Sequence, residues 1–464
     1  MWSILKINKL KLILVLSLAV FVQCTKDPLV FEMPPFTVTT LENGLKLYLF
    51  EDHKLPTISM NFLFRTGSSL DPVEKKGLAE LTAALLAEGT KNKSTLQIAD
   101  EFEVLGAEFS SNASNDYTSV TTQALAKDTN TLLELISDIF LNSTFPESEL
   151  QRRKKEMISA LVQQKDKPGQ LTDFLYSQYL YKNHPYSSAK IETIGKIERR
   201  DILDFYSQYF APNNATLAIV GDFKSNELLD NLKKNFSQWQ SKKIDHPQLS
   251  DPQKIEKNEI YVVHKPQTTQ TQIRIGNIAI NRKHKDYYAV LVANHLFGGS
   301  YNSILTQHVR DDLGLTYSIH TSVGLNQYKS GWTIDTFTRN EMLNDTLKEI
   351  LNIIKNFDHY ATEDELKKIK AQLSGMHIQR LETIEAIANI LTIYDFYGLS
   401  LEKDFKKWRR NIENVTLADV KRVIKEYWQR ESLLVTILTD PSVSLDKLPI
   451  QGNIKIIEFK DIEL

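Results

Sequence analysis

One cysteine, Cys24, is all the chain has, so an internal disulfide is excluded and no cluster of thiolates can grip a metal. Histidine is present but scattered. Among ten, the nearest neighbours in sequence are His284 and His295, so no two have the helical spacing at which adjacent imidazoles share a metal ion. His53, His264 and His320 fall in or beside strand-like stretches and read as ordinary surface or core residues, because a metal ligand needs convergent partners. An excess of one charge sign is also missing. A net charge of −2 gives no attraction to a phosphate backbone, which removes nucleic acid from the candidate partners. The apolar run near the start covers residues 12–22 only, short of the about 18 apolar residues that a membrane-crossing helix needs.

What is there is the make-up of a globular protein, 42% apolar and 25% charged over 464 residues. Such a length exceeds one ordinary core and points to two or more packed units of roughly 200 residues each. Lysines and acids alternate over residues 362–370, as on a solvated helix face. The first residues differ from the rest. Lys6, Lys9 and Lys11 precede the apolar run, and Gln23 and Cys24 follow it, the order of a secretory signal. Cys24 resembles the lipidation site of bacterial lipoproteins in position, while Phe21 and Gln23 depart from its usual spelling. Residues 1–24 are therefore expected to be an export signal ending in a lipidated cysteine, and residues 25–35, with Pro28, Pro34 and Pro35, a tether. The expected location is periplasmic, with membrane attachment through the lipid anchor alone.

From residue 36 onward, strand-like and helix-like stretches alternate, and the order is written twice. The first round has a hairpin over 37–51 turned at Asn43-Gly44, strands over 58–65, 119–126 and 215–220, and helices over 77–88, 131–141, 147–164 and 200–209. The second has strands over 259–264, 271–280, 332–338 and 433–438, with helices over 287–296, 343–357, 363–379 and 417–427. Asp201, Tyr209 and Asp222 each stand 218 residues before Asp419, Tyr427 and Asp440. Leu105-Gly106-Ala107 likewise matches Leu313-Gly314-Leu315 at a shorter offset. A constant register is the mark of internal duplication. The expected fold class is α+β, with two homologous units over 36–245 and 258–464. Each should be a mainly antiparallel sheet covered on one face by helices, and a polar, proline-bearing linker should join them.

The run Arg65-Thr66-Gly67-Ser68-Ser69, then Gly77-Leu78-Ala79 and Glu88-Gly89-Thr90, resembles the first catalytic segment of the pitrilysin and insulysin family of metallopeptidases, which includes mitochondrial processing peptidase. The likeness runs from about residue 36 to 440. It takes in Asn112-Ala113-Ser114, His184-Pro185-Tyr186, Val220-Gly221-Asp222, Phe297-Gly298-Gly299 and 313–318. Zinc-bearing members place H-x-x-E-H directly after the Gly-Leu-Ala segment; two His bind Zn²⁺ and the Glu activates water. Here those places hold Glu80, Ala83 and Ala84, the third ligand position falls on Ala160, and an accessory Glu position on Arg153. A methyl group has no lone pair to donate. The resemblance therefore implies no metal in this chain, and a zinc ion in a partner subunit.

In the second half, Arg310 and Tyr317 stand where the resemblance places an arginine–tyrosine pair that hydrogen-bonds substrate carbonyl oxygens. The sequence puts Arg310 at the end of a helix over 302–310 and Tyr317 at the start of a strand after Gly314. One such donor aimed at a developing oxyanion is worth about 2.7–4 kcal/mol. Read without the resemblance, the same residues would be a surface Arg310–Asp311 or Arg310–Asp312 pair and a core tyrosine. Gly298 and Gly299, followed by Asn302 and Ser303, would let a peptide backbone approach the sheet edge, or would simply begin a helix capped by Ser300 or Asn302. Some relatives divide labour between a zinc-bearing chain and a chain carrying the clamp. The resemblance casts this chain as the second kind, with a zinc-motif homologue as partner and an extended peptide as substrate. The competing expectation is a structural or peptide-binding lipoprotein of the same fold.

Overall fold

The structure is a computed structural model, and it describes residues 35–464. The export segment with Cys24 and nearly all of the tether lie outside the described residues. Among the described residues no helix is long and apolar enough to cross a membrane.

Two six-stranded sheets organise the described residues. The first contains β1 (Thr37–Thr40), β2 (Lys46–Glu51), β3 (Thr57–Phe64), β4 (Glu108–Ala113), β5 (Thr118–Leu125) and β6 (Ala215–Gly221), in the order β1-β2-β6-β3-β5-β4. The second contains β7 (Glu259–His264), β8 (Gln270–Ile278), β9 (Ile319–Val323), β10 (Gly331–Arg339), β11 (Leu434–Thr439) and β12 (Asn453–Glu458), in the order β12-β7-β11-β8-β10-β9. Five strands correspond one to one, and β2–β6 and β7–β11 are both parallel pairs within otherwise antiparallel neighbourhoods. The sixth differs: β1 precedes β2 and pairs with it antiparallel, whereas β12 follows everything and pairs parallel to β7. In the β1–β2 turn Gly44 takes φ +88, and a Cβ there would lie 2.7 Å from the Cβ of Asn213. Only glycine meets both conditions.

Period-two alternation explains why the central strands read as almost continuous apolar runs. On β2, Leu47 and Leu49 enter the core of the first half, while Tyr48 and Phe50 point the other way, against Ile387, Ala388 and Leu391 of the second half's Ile384–Phe396 helix. On β7 and β11, Ile260, Val262, Val435 and Ile437 enter the second core. Val263 and Leu438 face Leu171, Phe174 and Leu175 of the first half's Pro168–Tyr181 helix. Each sheet is therefore covered by its own helices on one face, as the α+β reading expects. On the opposite face each receives one helix exchanged from the other half.

An ionic contact with one buried partner accompanies each exchanged helix. Asp395, on the Ile384–Phe396 helix, accepts hydrogen bonds from Lys46, from Tyr48 Oη at 3.0 Å, from Arg65 at 3.1 Å and from Thr216 Oγ1 at 2.6 Å. Burial pushes its pKa up, but these donors outweigh burial and hold it below the ordinary value. In the reverse direction Arg274, 3% exposed on β8, donates from Nε to Asp173 on the Pro168–Tyr181 helix at 2.5 Å. Asp335 adds a second carboxylate at 3.1 Å, and a guanidinium so desolvated needs such partners, since an unpaired buried charge costs several kcal/mol.

The expected helix over 302–310 is not formed as such. Helical hydrogen bonding begins near Ile304 and widens to π-type turns over Thr306–Asp312, where Leu313 N–H reaches back to His308 O at 3.2 Å. Gly314, at φ +60, ends the turn in the left-handed region. Tyr317 lies in the connection before β9 rather than in the strand.

Candidate functional site

The Leu78–Leu85 helix starts at Gly77 because Asp71 caps it from outside the helix. Asp71 Oδ2 accepts Gly77 N–H at 2.8 Å and Oδ1 accepts Ala79 N–H at 2.9 Å. Burial pushes this carboxyl up to about 7, against the pull of those N–H groups. The helix start fixes Glu80 one turn in, on the wall of a cavity of about 610 Å³. The Glu147–Asp166 helix supplies Met157, Ala160 and Gln164 to another wall. The end of β4 and the residues after it, Ala113 to Asn115, also border the space.

The degenerate metal positions thus divide. Glu80 and Ala160 face the cavity together, Ala83 is 2% exposed, and Ala84 is half-buried. Glu80 has no hydrogen-bond or ion-pair partner among the described residues, and the protein walls around it push its carboxyl pKa up even though solvent reaches the side chain. Arg153 does not enter the cavity lining. It binds the buried carboxylate of Glu88 at 2.5 Å, together with Arg152 at 2.8 Å. One carboxylate and three methyl groups do not make a zinc site, which takes four donors or three and a water. Among the described residues no group of three or more His, Cys, Asp or Glu could hold a metal ion.

Arg310 and Tyr317 meet at one rim of the second half. Arg310 Nε donates to the main-chain oxygen of Tyr317 at 2.9 Å, and its NH1 lies 3.3 Å from Asp311. The Tyr317 ring is 79% exposed, so it is not a core residue. Sequence reading missed a third member. Tyr301, 70% exposed, puts its ring centroid 5.0 Å from the Arg310 guanidinium carbon, against 5.8 Å for Tyr317. The guanidinium therefore stands between two solvent-facing phenols. The sequence signal was a large aromatic in a Gly-Ser-rich loop, where burial would not be expected.

Gly298 and Gly299 serve close packing at the end of the Tyr287–Phe297 helix. A Cβ on Gly298 would lie 2.4 Å from Thr321 Cγ2 on β9, and one on Gly299 would lie 2.6 Å from Asn294 Nδ2. Gly299 also lines a groove of about 230 Å³ with His320 and Ser322 of β9. Among the described residues β9 is an edge strand, paired only with β10. Asn302 is exposed, whereas Ser303 is wholly buried with its hydroxyl 2.9 Å from that of Thr306. Ser303 thus anchors the loop and turns no hydroxyl outward. The His184-Pro185-Tyr186 turn has a structural task as well. Tyr186 Oη donates to buried Asp116, whose other oxygen accepts Gln327 N–H at 2.7 Å from the second half.

Two duplicated α+β halves with exchanged helices, a helix-walled cavity without a zinc donor set in the first and a solvent-accessible Arg–Tyr rim in the second, define a zinc-motif-less metallopeptidase-like protein. Residues 48–193 match the family described as Insulinase (Peptidase family M16), and residues 196–373 match Peptidase M16 inactive domain. The chain belongs to the insulinase-like M16 family. It is 25% identical over 350 residues to a protein of Bacillus subtilis named "Uncharacterized zinc protease YmxG", covering 74% of this chain and 84% of that one. It is also 25% identical over 404 residues to "Non-peptidase homolog YmxG" of Helicobacter pylori, covering 84% and 90%. A crystal structure described as a peptidase M16 inactive domain from Pseudomonas fluorescens superposes with a TM-score of 0.81 at 26% identity, covering 89% of this chain and all of that chain (100%).

Proposed function

We propose that this chain is the non-zinc subunit of an exported two-chain metallopeptidase, which supplies Arg310 and Tyr317 to a zinc-bearing homologue and does not cleave peptides alone. The observation that carries this reading is the pairing of a cavity that lacks a zinc donor set in one half with a solvent-accessible Arg–Tyr rim in the other. Neither Arg310 nor Tyr317 lines the first-half cavity, so the two features do not share a site within the chain. A chamber formed with a partner would bring such a rim to another chain's metal. There the guanidinium and phenol would donate to a carbonyl oxygen as it gains negative charge. The peptide would lie extended along a free sheet edge, through main-chain hydrogen bonds. Cys24 would tether the assembly to a membrane. Reconstitution with a zinc-motif homologue tests the reading: hydrolysis should require both chains and should fall when Tyr317 is replaced by Phe. A pair that works equally well with the variant would overturn it.

A further inference from the structure

A second cavity, of about 370 Å³, lies at the seam where the first half, the linker and the second half meet. Its volume falls in the roughly 300–1,000 Å³ range of small-ligand sites. Arg65 from the first half, His246 from the linker, and Arg282 and Lys283 from the second half all line it. The charges do not balance. Arg65 shares the single carboxylate of Asp395 with Lys46, so one positive charge is left over there. Arg282 has no acidic partner among the described residues; its guanidinium lies over the Tyr287 ring, 3.9 Å from the centroid. Lys283 has none either, and its Nζ is poised over Gly398, 3.3 Å from where a Cβ would stand. The one carboxyl in the lining among the described residues, Asp116, is turned to other work. It is buried and accepts from the hydroxyl of Tyr186, the N–H of Gln327 at 2.7 Å and the hydroxyl of Tyr397 at 3.4 Å. Burial pushes its pKa above the ordinary carboxylate value, against the pull of those three donors. His246 is held below its usual pKa by burial first and by Arg65 second, and so stays neutral at neutral pH.

Excess positive charge in a recess is one half of the chemistry. The other half is apolar: Leu70, Pro247, Leu249 and Phe396 supply hydrocarbon to the same walls. A ligand fitting both carries a carboxylate on an apolar body. We propose that the seam cavity captures the C-terminal carboxylate of a short peptide, with Arg282 and Lys283 as its binding residues. The peptide source of that carboxylate rests on the peptide-handling function proposed above. The charge argument does not, because every lining residue belongs to this chain.

The test uses the purified chain without any partner, so its outcome is independent of reconstituted hydrolysis. Titration calorimetry would compare N-acetyl-Leu-Phe with a free C-terminus against the same dipeptide amide, with inorganic phosphate as a third ligand at matched ionic strength. The acid should bind about 10-fold or more tighter than the amide, the scale of losing one charge-assisted contact. That preference should disappear in Arg282→Gln. Because Arg282 also packs on Tyr287, the exposed Lys283→Ala is the second variant, and it should weaken the acid while leaving the amide unchanged. Equal binding of acid and amide overturns the proposal. So does an acid preference that survives both substitutions. Saturable phosphate binding without any dipeptide binding would overturn it in favour of a simple anion site.

Discussion

Arg310 donates its Nε–H to the main-chain oxygen of Tyr317 at 2.9 Å, which ties the guanidinium to the base of the tyrosine and leaves the phenol ring in solvent. An exposed phenol held beside a half-buried guanidinium contributes little to stability, because contacts at such a solvated rim are worth about 1 kcal/mol or less. Loss of either side chain should therefore be felt in catalysis and not in folding.

In a reconstituted pair, Tyr317→Phe is expected to lower turnover by roughly 10²-fold, the effect of removing one oxyanion donor. Arg310→Lys should also impair turnover, since an ammonium cannot reproduce the planar fork. Steady-state kinetics with a fluorogenic peptide reads both. A thermal midpoint unchanged within a degree or two would separate the loss from misfolding.

Replacing the four degenerate positions together, as Glu80→His, Ala83→Glu, Ala84→His and Ala160→Glu, should create a zinc site. Histidines four apart share one helix face, and Ala160 already borders the same cavity as Glu80. The folded variant is expected to keep about one zinc per chain through gel filtration, the stoichiometry of a single tetrahedral site, as measured by plasma mass spectrometry. A folded variant free of zinc would show that the two helices do not aim these positions at one point.

Asp395→Ala should destabilise the chain by about 2–3 kcal/mol, because it leaves Lys46 and Arg65 without their shared carboxylate where the Ile384–Phe396 helix meets the first sheet. The cost stays below that of breaking a fully buried pair, since both cations are partly solvated. Urea unfolding measures it, and an unchanged midpoint would mean that the exchanged helix is held by its apolar face alone.

His377 is 1% exposed and stacks on Trp408 with ring centroids 4.5 Å apart. Burial, aided by the charges of Arg380 and Arg409, pushes its pKa down to about 4. A depressed histidine pKa favours the neutral ring in the folded state. The stability it represents is therefore whole above pH 6.5 or so and is lost as the pH falls from there toward about 4, by up to about 3 kcal/mol. His377→Phe keeps the stacking and removes the titration, so its stability should fall less than that of the parent between pH 6.5 and 4.5. Identical slopes would contradict the assignment.

Much of the fold was legible in the sequence, for identifiable reasons. The hairpin at Asn43-Gly44, the fully buried β6 and β11, and the Leu417–Tyr427 helix follow from turn chemistry, unbroken apolar runs and helical periodicity. β4 was not legible, because Glu-Phe-Ser-Ser-Asn-Ala on a half-solvated edge carries almost no apolar alternation. Nor was the role of the Pro168–Tyr181 and Ile384–Phe396 helices. Each is wedged between elements of both halves, so buried residues spread around it and no single stripe marks the face that crosses over. At the candidate site, the identities at 80, 83, 84 and 160 could be read directly, but the cavity they border could not. Asp71 caps a helix six and eight residues on and Tyr301 reaches Arg310 nine residues on, both through loop geometry that residue types do not spell out, while the charge imbalance at Arg282 depends on segments distant in the chain.

The central claim is that hydrolysis by this protein depends on a metal held elsewhere. Peptide cleavage by the purified single chain, assayed in added zinc with and without a chelator, addresses it most directly when the zinc content of the same sample is measured alongside. The account predicts no cleavage under either condition and zinc far below one ion per chain. Chelator-sensitive cleavage by the lone chain, with a bound ion in its first half, would contradict it.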